Sequence, residues 1–298
     1  MRIVFIGTAS FAVPSLRALV AVGHEIPLVV TQPDRPGHRL RLTPPAVKVA
    51  AEALRLPVSQ PVRIREPEAI GRIQETAPEV GVVVAYGQII PRAVLEIPPR
   101  GILNVHASLL PRHRGAAPVA ASIMAGDRVT GVTIMQMDEQ LDHGPILAQR
   151  EIEIGPHENA AELADRLAHL GADLLVETLA RLDQVEPQAQ DHEAATVAPK
   201  LARADGDLEW RLPAVEIDRR VRAFQPWPGV TLPVAGSRVK VLRGRPAPGS
   251  GEPGDVLEAG ADGVVVAAGD GAYRLEEVQV PGRRPMPARS LLSGDATG

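Results

Sequence analysis

The sequence predicts an α/β fold, a mostly parallel sheet covered by helices, followed by a small all-β domain. Two observations predict it. Short Val/Ile-rich runs alternate with stretches of helical apolar spacing over residues 1–183, and after a polar, aperiodic stretch come short strands joined by Gly-containing turns. The length of 298 residues agrees, since it suits roughly two domains of ordinary size.

Arg2–Ile6, Ile26–Thr31, Val80–Ala85, Ile102–His106 and Val132–Gln136 are read as strands because each is an almost unbroken apolar run of strand length. Such runs are buried on both faces, as in parallel sheets with helices above and below. Between them Val13–Val22 and Ala46–Leu54 have helical spacing. Asn159–Leu182 is expected to be a long helix, with Leu163, Leu167, Leu170, Leu174, Leu175 and Leu179 as its core-facing stripe. Periodicity is lost from Gln184, so 184–206 is expected to be a linker between domains at 1–183 and 207–298. Beyond it, Val230–Val234, Val239–Leu242, Asp255–Glu258, Val264–Ala267 and Tyr273–Val280 have the spacing of a small antiparallel barrel or sandwich. Trp227, between Pro226 and Pro228, is expected in its core.

Composition excludes several classes. Hydrophobic residues make up 45% and charged residues 23%, ordinary for a globular chain. No apolar run reaches the ~18 residues that span a bilayer, and the opening Met1–Ile6 run stops at Gly7, too short for a secretory signal. A cytoplasmic protein with no membrane partner is expected. The absence of cysteine removes disulfides, thiolate nucleophiles, iron–sulfur clusters and thiolate zinc sites. The net charge of −4 offers no overall field for a polyanion. Residues 207–298 carry 12 basic and 12 acidic side chains, so the acidic excess lies before them.

In a sheet of this kind ligands bind beyond the carboxyl ends of the strands, so the loops there are where chemistry is sought. After the first strand, Gly7-Thr8-Ala9-Ser10 has neither G-x-G-x-x-G nor a phosphate-loop lysine, which argues against NAD and ATP. In Ile102–His106, strand alternation puts Asn104 and His106 on one face. An amide beside an imidazole suits a developing oxyanion, although a buried hydrogen-bonded pair would look the same by itself. The Pro- and Gly-rich run from Ser108 to Pro118 reads as a site loop. Asp142, in Met137–Gly144 after another strand, is placed to face His106 as a proton acceptor; taken alone, it reads as a loop cap before Gly144. Ser108 lies only two residues from His106 and no G-x-S-x-G is present, which disfavours a serine hydrolase; His106, His113 and His143 lack metal-site spacing.

Taken together, Asn104–Pro118, the Asp142 loop, Val83-Val84-Ala85-Tyr86-Gly87, Thr31–Pro36 and Arg222–Pro228 resemble the methionyl-tRNA formyltransferases over nearly the whole chain. The resemblance implies a Rossmann-like formyltransferase domain followed by an OB-like β-barrel. It implies transfer of the formyl group of 10-formyltetrahydrofolate to the amino group of methionyl initiator tRNA, with no metal. By position, Asn104, His106 and Asp142 become the catalytic group. Folate contacts fall at Ser108, Leu109, Leu110 and Pro111, and the pterin pocket at Tyr86, Gln88, Ile89, Ile90 and the loop Met137–Leu141. Arg39 and Arg41 in the short Gly37–Leu42 stretch become contacts to tRNA, the expected partner of a monomeric chain. Arg219, Arg220, Arg222, Arg238, Lys240, Arg243 and Arg245 are the cations available to an RNA-facing patch in the C-terminal part. Sugar-nucleotide N-formyltransferases, with the same donor and catalytic group, are the alternative.

Overall fold

The computed structural model describes residues 1–36 and 42–291; Arg39 and Arg41 lie outside the described residues. Chain contacts divide it into two compact units. The first is Met1–Pro118, Val129–Glu153 and Ala164–Ala198, and the second is Val119–Arg128, Ile154–Leu163 and Pro199–Gly298. This differs from the boundaries expected at 183 and 207. The polar stretch up to Ala198 is bonded into the first unit, and two earlier segments join the second.

The first unit is built on a seven-stranded sheet. Its strands lie in the order Ile146–Glu153, Val129–Gln136, Ile102–His106, Val80–Val84, Arg2–Gly7, Glu25–Val30, Val58–Ser59. The five from Ile102–His106 to Val58–Ser59 are parallel. Val80–Val84 and Ile102–His106 are buried at every residue, as their unbroken apolar composition requires. The other two strands, Val129–Gln136 and Ile146–Glu153, run antiparallel to their neighbours. Ile146–Glu153 is the edge strand, and its outer half alternates exposed and half-buried residues.

The helices Val13–Ala21, Ala46–Ala53 and Ala160–Ala180 agree with expectation to within two residues. Leu163, Leu167, Leu174, Leu175 and Leu179 are all buried. Gly171 on that helix allows close packing, since a Cβ there would sit 2.7 Å from Val105.

In the second unit an antiparallel sheet has the order Val230–Val234, Ser237–Ala247, Ala272–Gln279, Gly263–Ala267, Val256–Gly260, and Met286–Pro287 pairs with Ala272–Gln279. Every residue of Gly263–Ala267 is buried, and the helix Ala214–Ala223 contributes Ile217 and Val221 to the core. Among the described residues no ladder joins Val230–Val234 to Val256–Gly260, so the antiparallel sheet, expected as a small barrel or sandwich, is not closed by strand pairing. Trp227 is not in the core where it was expected. It is 54% exposed, and Trp210 is the buried tryptophan, donating its indole N–H to the Pro233 carbonyl at 2.6 Å. Among the described residues no helix is long and apolar enough to cross a membrane.

Candidate active site

Asn104 and His106 project from Ile102–His106, where Asn104 is in register with Val83 on one side and Met135 on the other. Both side chains are buried, at 8% and 5% exposure. Asp142 joins them. Asn104 Nδ2 lies 3.4 Å from Asp142 Oδ1, and His106 Nδ1 lies 3.6 Å from Asp142 Oδ2. The route differs from the one expected. Asp142 follows a strand that runs antiparallel to Ile102–His106, so its loop does not leave from the same sheet edge.

The remaining polar contacts define the state of each group. His106 Nε2 is 2.9 Å from the His113 carbonyl oxygen. A carbonyl only accepts, so Nε2 carries the proton and Nδ1 is the nitrogen that faces the carboxylate. Asp142 Oδ2 accepts the Gly115 backbone N–H at 2.8 Å. Gly115 has φ +116°, and a Cβ on it would meet the Ala198 carbonyl oxygen at 2.6 Å. Only glycine lets the loop bring this amide to the carboxylate.

The Ser108–Pro111 stretch is held from below. Thr133 Oγ1 donates to the Ser108 carbonyl at 2.7 Å and accepts the Leu110 N–H at 3.0 Å, while Gln149 Nε2 donates to the Leu110 carbonyl at 2.8 Å. Thr133 and Gln149 were missed in the sequence reading. A threonine within the apolar Val132-Thr133-Ile134 run was the available signal.

The residues implied as folate contacts separate into two groups. Tyr86, Ile90, Ser108 and Leu110 place their side chains in the interior, between 0% and 4% exposed. The Ser108 hydroxyl donates to the Arg112 carbonyl at 2.6 Å, and the Tyr86 ring packs in the core cluster with Ile6, Leu28 and Ile73. In this structure those four side chains are enclosed by the protein, which leaves the main chain as the part of these residues that a ligand could reach. Burial pushes the Tyr86 phenol up to about 12. Leu109 and Pro111 are half-buried. Gln88 is tied to the Ile64 N–H and the Val62 carbonyl, both at 3.1 Å. Ile89 and Leu141, by contrast, are 85% and 67% exposed. Ile89 follows the carboxyl end of Val80–Val84, and Leu141 adjoins Asp142.

A cleft of about 320 Å³ lies along the carboxyl ends of Arg2–Gly7, Glu25–Val30 and Val80–Val84, lined by Thr8, Ala9, Gln32, Arg35, Ala85 and Gly87 among others. The Gln32 amide ties this edge together, donating to the Tyr86 carbonyl at 2.6 Å and accepting from the Arg35 guanidinium. Asp34 anchors the same stretch. Gln60 and Lys48 donate to its carboxylate at 2.7 and 2.8 Å and hold it below the usual carboxylate range. A larger hollow of about 490 Å³ is lined by Gln74, Ala77, Ala93, Glu96 and Ile97 and contains none of the polar groups described above. Among the described residues no cluster of three His, Cys, Asp or Glu could hold a metal.

The expected C-terminal cations are largely engaged by the chain's own acids. Arg220 pairs with Glu216 at 2.8 Å, Arg222 with Asp218 at 2.9 Å, Arg238 with Glu209 at 2.7 Å, and Arg243 and Arg245 each with Glu276 at 3.1 Å.

Two family models match the chain, "Formyl transferase" over residues 1–179 and "Formyl transferase, C-terminal domain" over residues 200–296. Among its relatives, a methionyl-tRNA formyltransferase of Chloroflexus aurantiacus is 49% identical over 99% of this chain and 97% of that protein. One of Roseobacter denitrificans is 48% identical over 99% and 96%. Similar solved structures include WlaRD, a sugar 3N-formyl transferase, with a TM-score of 0.69 at 18% identity over 95% of this chain and 99% of that one. HypX from Aquifex aeolicus in complex with tetrahydrofolic acid has a TM-score of 0.66 at 20% identity, covering 98% of this chain and 47% of that one. At those identities the structures speak to the fold alone. The two family models and the near-half identity from end to end are decisive, and the chain belongs to the methionyl-tRNA formyltransferase family.

Proposed function

We propose that this chain transfers the formyl group of 10-formyltetrahydrofolate to the amino group of methionyl initiator tRNA, and that it does so as a monomer without a metal. The observation that carries the reading is the meeting of Asn104, His106 and Asp142 at one buried point, in a chain that is 49% identical to a protein named for that reaction.

The donor supplies a formyl carbon, and attack on it by an amine turns the formyl oxygen into an oxyanion. Asn104 Nδ2 is a fixed donor whose present contact with Asp142 is long, 3.4 Å, so it can turn to that oxygen at little cost. His106 donates through Nδ1 when protonated, since Nε2 is committed to the His113 carbonyl. Donors arranged in advance in a buried site act most strongly on charge that appears only in the transition state. Asp142 Oδ2 is occupied by the Gly115 amide, which leaves Oδ1 to take the proton of the attacking amine and pass it to the leaving nitrogen. Ile89 and Leu141 are the exposed apolar surface for the pterin. Arg39 and Arg41 are assigned to the tRNA backbone.

The test is formyl transfer from 10-formyltetrahydrofolate to methionyl initiator tRNA, run beside an elongator methionyl-tRNA and an amino-sugar nucleotide. Product confined to the initiator tRNA is expected. Product on the sugar alone would transfer the chain to the sugar-nucleotide reading.

A further inference from the structure

Gln190 lies in the stretch that the sequence marks as a linker, yet it is only 5% exposed. Every hydrogen-bonding position of its side-chain amide is used. Nε2 donates to the carbonyl of Asp142 at 3.0 Å and to the carbonyl of Gly144 at 2.7 Å. Oε1 accepts from Arg114 Nε at 3.1 Å and Nη2 at 2.6 Å. A guanidinium only donates and carbonyls only accept, so these partners leave one orientation for the amide.

The chain on both sides of Gln190 is fastened to the same two loops. Gln188 and Ile146 exchange both backbone hydrogen bonds at 2.8 Å. The His192 ring stacks on His143 with centroids 3.9 Å apart. Thr196 Oγ1 accepts the His113 N–H at 2.8 Å, and Val197–Ala198 pairs with Arg114–Gly115. The strap therefore grips the loop that presents Gly115 and the loop that presents Asp142. Asp142 gains from that grip, because its φ of +47° lies in the left-handed region, which costs a non-glycine residue energy even though Asp tolerates it better than most.

We propose that Gln190 is a positioning residue for formyl transfer. It pins the main chain of Asp142 and Gly144 against Arg114, so that the carboxylate stays between Asn104, His106 and the Gly115 amide. The inference rests on the reading of Asp142 as the proton acceptor given above. Gln190 itself need not touch either substrate.

Two variants test it. Gln190→Glu keeps the shape and the contact with Arg114 but sets an oxygen against the two carbonyls, whereas Gln190→Leu removes both arms. For each, kcat is expected to fall at least ~10-fold with KM for both substrates within ~2-fold, the pattern of a lost transition-state geometry. In enzyme without substrate, hydrogen exchange at the Gly115 amide should quicken at least ~10-fold while sheet amides such as that of Val83 are unchanged. Combined with Asp142→Asn, Gln190→Glu should cost little more than Asp142→Asn alone, because both act on one carboxylate. If Gln190→Leu does not fold, Gln190→Glu and the milder Arg114→Met, expected to change kcat in the same direction by less, carry the test. Unchanged kcat and Gly115 exchange in folded variants would overturn the proposal, as would a full additional loss on top of Asp142→Asn. Wild-type enzyme that forms no formylmethionyl-tRNA would instead overturn the functional reading, since the exchange measurement does not depend on activity.

Discussion

His106 has two ring nitrogens with different tasks because their partners differ. The His113 carbonyl accepts the hydrogen bond of the Nε2–H, and Nδ1 is left toward Asp142, where the proposed reaction would take place. Replacing His106 or Asn104 by alanine is expected to lower kcat by at least ~10²-fold, with denaturation midpoints close to wild type. Steady-state kinetics beside urea titrations check this, and undiminished turnover in both variants would remove them from the chemistry. Tyr86 behaves in the opposite way. Its hydroxyl is buried with no hydrogen-bond partner among the described residues, and burial pushes its phenol from 10.0 to about 12. The unfolded chain therefore releases this proton first, so stability is unaffected below pH ~10 and declines as pH rises from ~10 toward ~12. Tyr86→Phe should leave stability at pH 7 equal or slightly higher and make that alkaline decline shallower, as followed by urea midpoints at pH 7, 10 and 11. A large loss at pH 7 would mean that the hydroxyl is satisfied. That Asn104, His106 and Asp142 come together was legible in the sequence, two from strand alternation and the third from a loop after a strand. The burial of Tyr86, Ile90, Ser108 and Leu110 was not, because a position in a motif does not say which way a side chain turns in an irregular loop.

The elements were legible wherever one face or both faces are apolar. Val230–Val234 and Ile102–His106 have the expected bounds, and Arg2–Gly7 and Ala46–Ala53 are within one residue. Ile146–Glu153 was missed because an edge strand alternates polar and apolar residues weakly. The helix Ala214–Ala223 was missed because its apolar stripe is narrow among charged residues. Parallel or antiparallel pairing of Val129–Gln136 depends on a partner remote in sequence, which periodicity cannot specify. The two-residue pairing of Arg114–Gly115 with Val197–Ala198 was invisible for the same reason, and it makes a definite prediction. Gly115→Ala puts a Cβ at a φ of +116°, 2.6 Å from the Ala198 carbonyl oxygen. The loop must shift to relieve this, at about 1–3 kcal/mol, and the Gly115 amide leaves Asp142. Lower denaturation midpoints together with reduced kcat are expected. An alanine variant of wild-type stability and turnover would show that the close approach is not required.

At the scale of the whole molecule, electrostatics decides how an RNA partner could be held. The chain carries a net charge of −4, and most arginines of Ala214–Ala223 and Ser237–Ala247 are paired with Glu216, Asp218, Glu209 and Glu276. An arginine already paired with a carboxylate releases few counterions when a phosphate approaches, because its charge is largely cancelled locally. That directs attention to Arg39 and Arg41. In the flanking described chain, Arg35–Pro36 pairs antiparallel with Leu42–Thr43, and no acidic residue occurs between Arg35 and Thr43. If both arginines neutralise phosphates, replacing them together with alanine should weaken tRNA binding. The slope of log affinity against log salt should flatten by about 1.4–1.8, two contacts at about 0.7–0.9 each. The matching replacement of Arg243 and Arg245 should flatten the slope by no more than about 0.7–0.9, half as much, because Glu276 already balances one of those two charges. Filter binding of methionyl initiator tRNA across a range of salt separates the two. If the Arg243 and Arg245 variant flattened the slope and the Arg39 and Arg41 variant did not, the phosphate contacts would belong to the C-terminal sheet, and its ion pairs would have to open when RNA arrives.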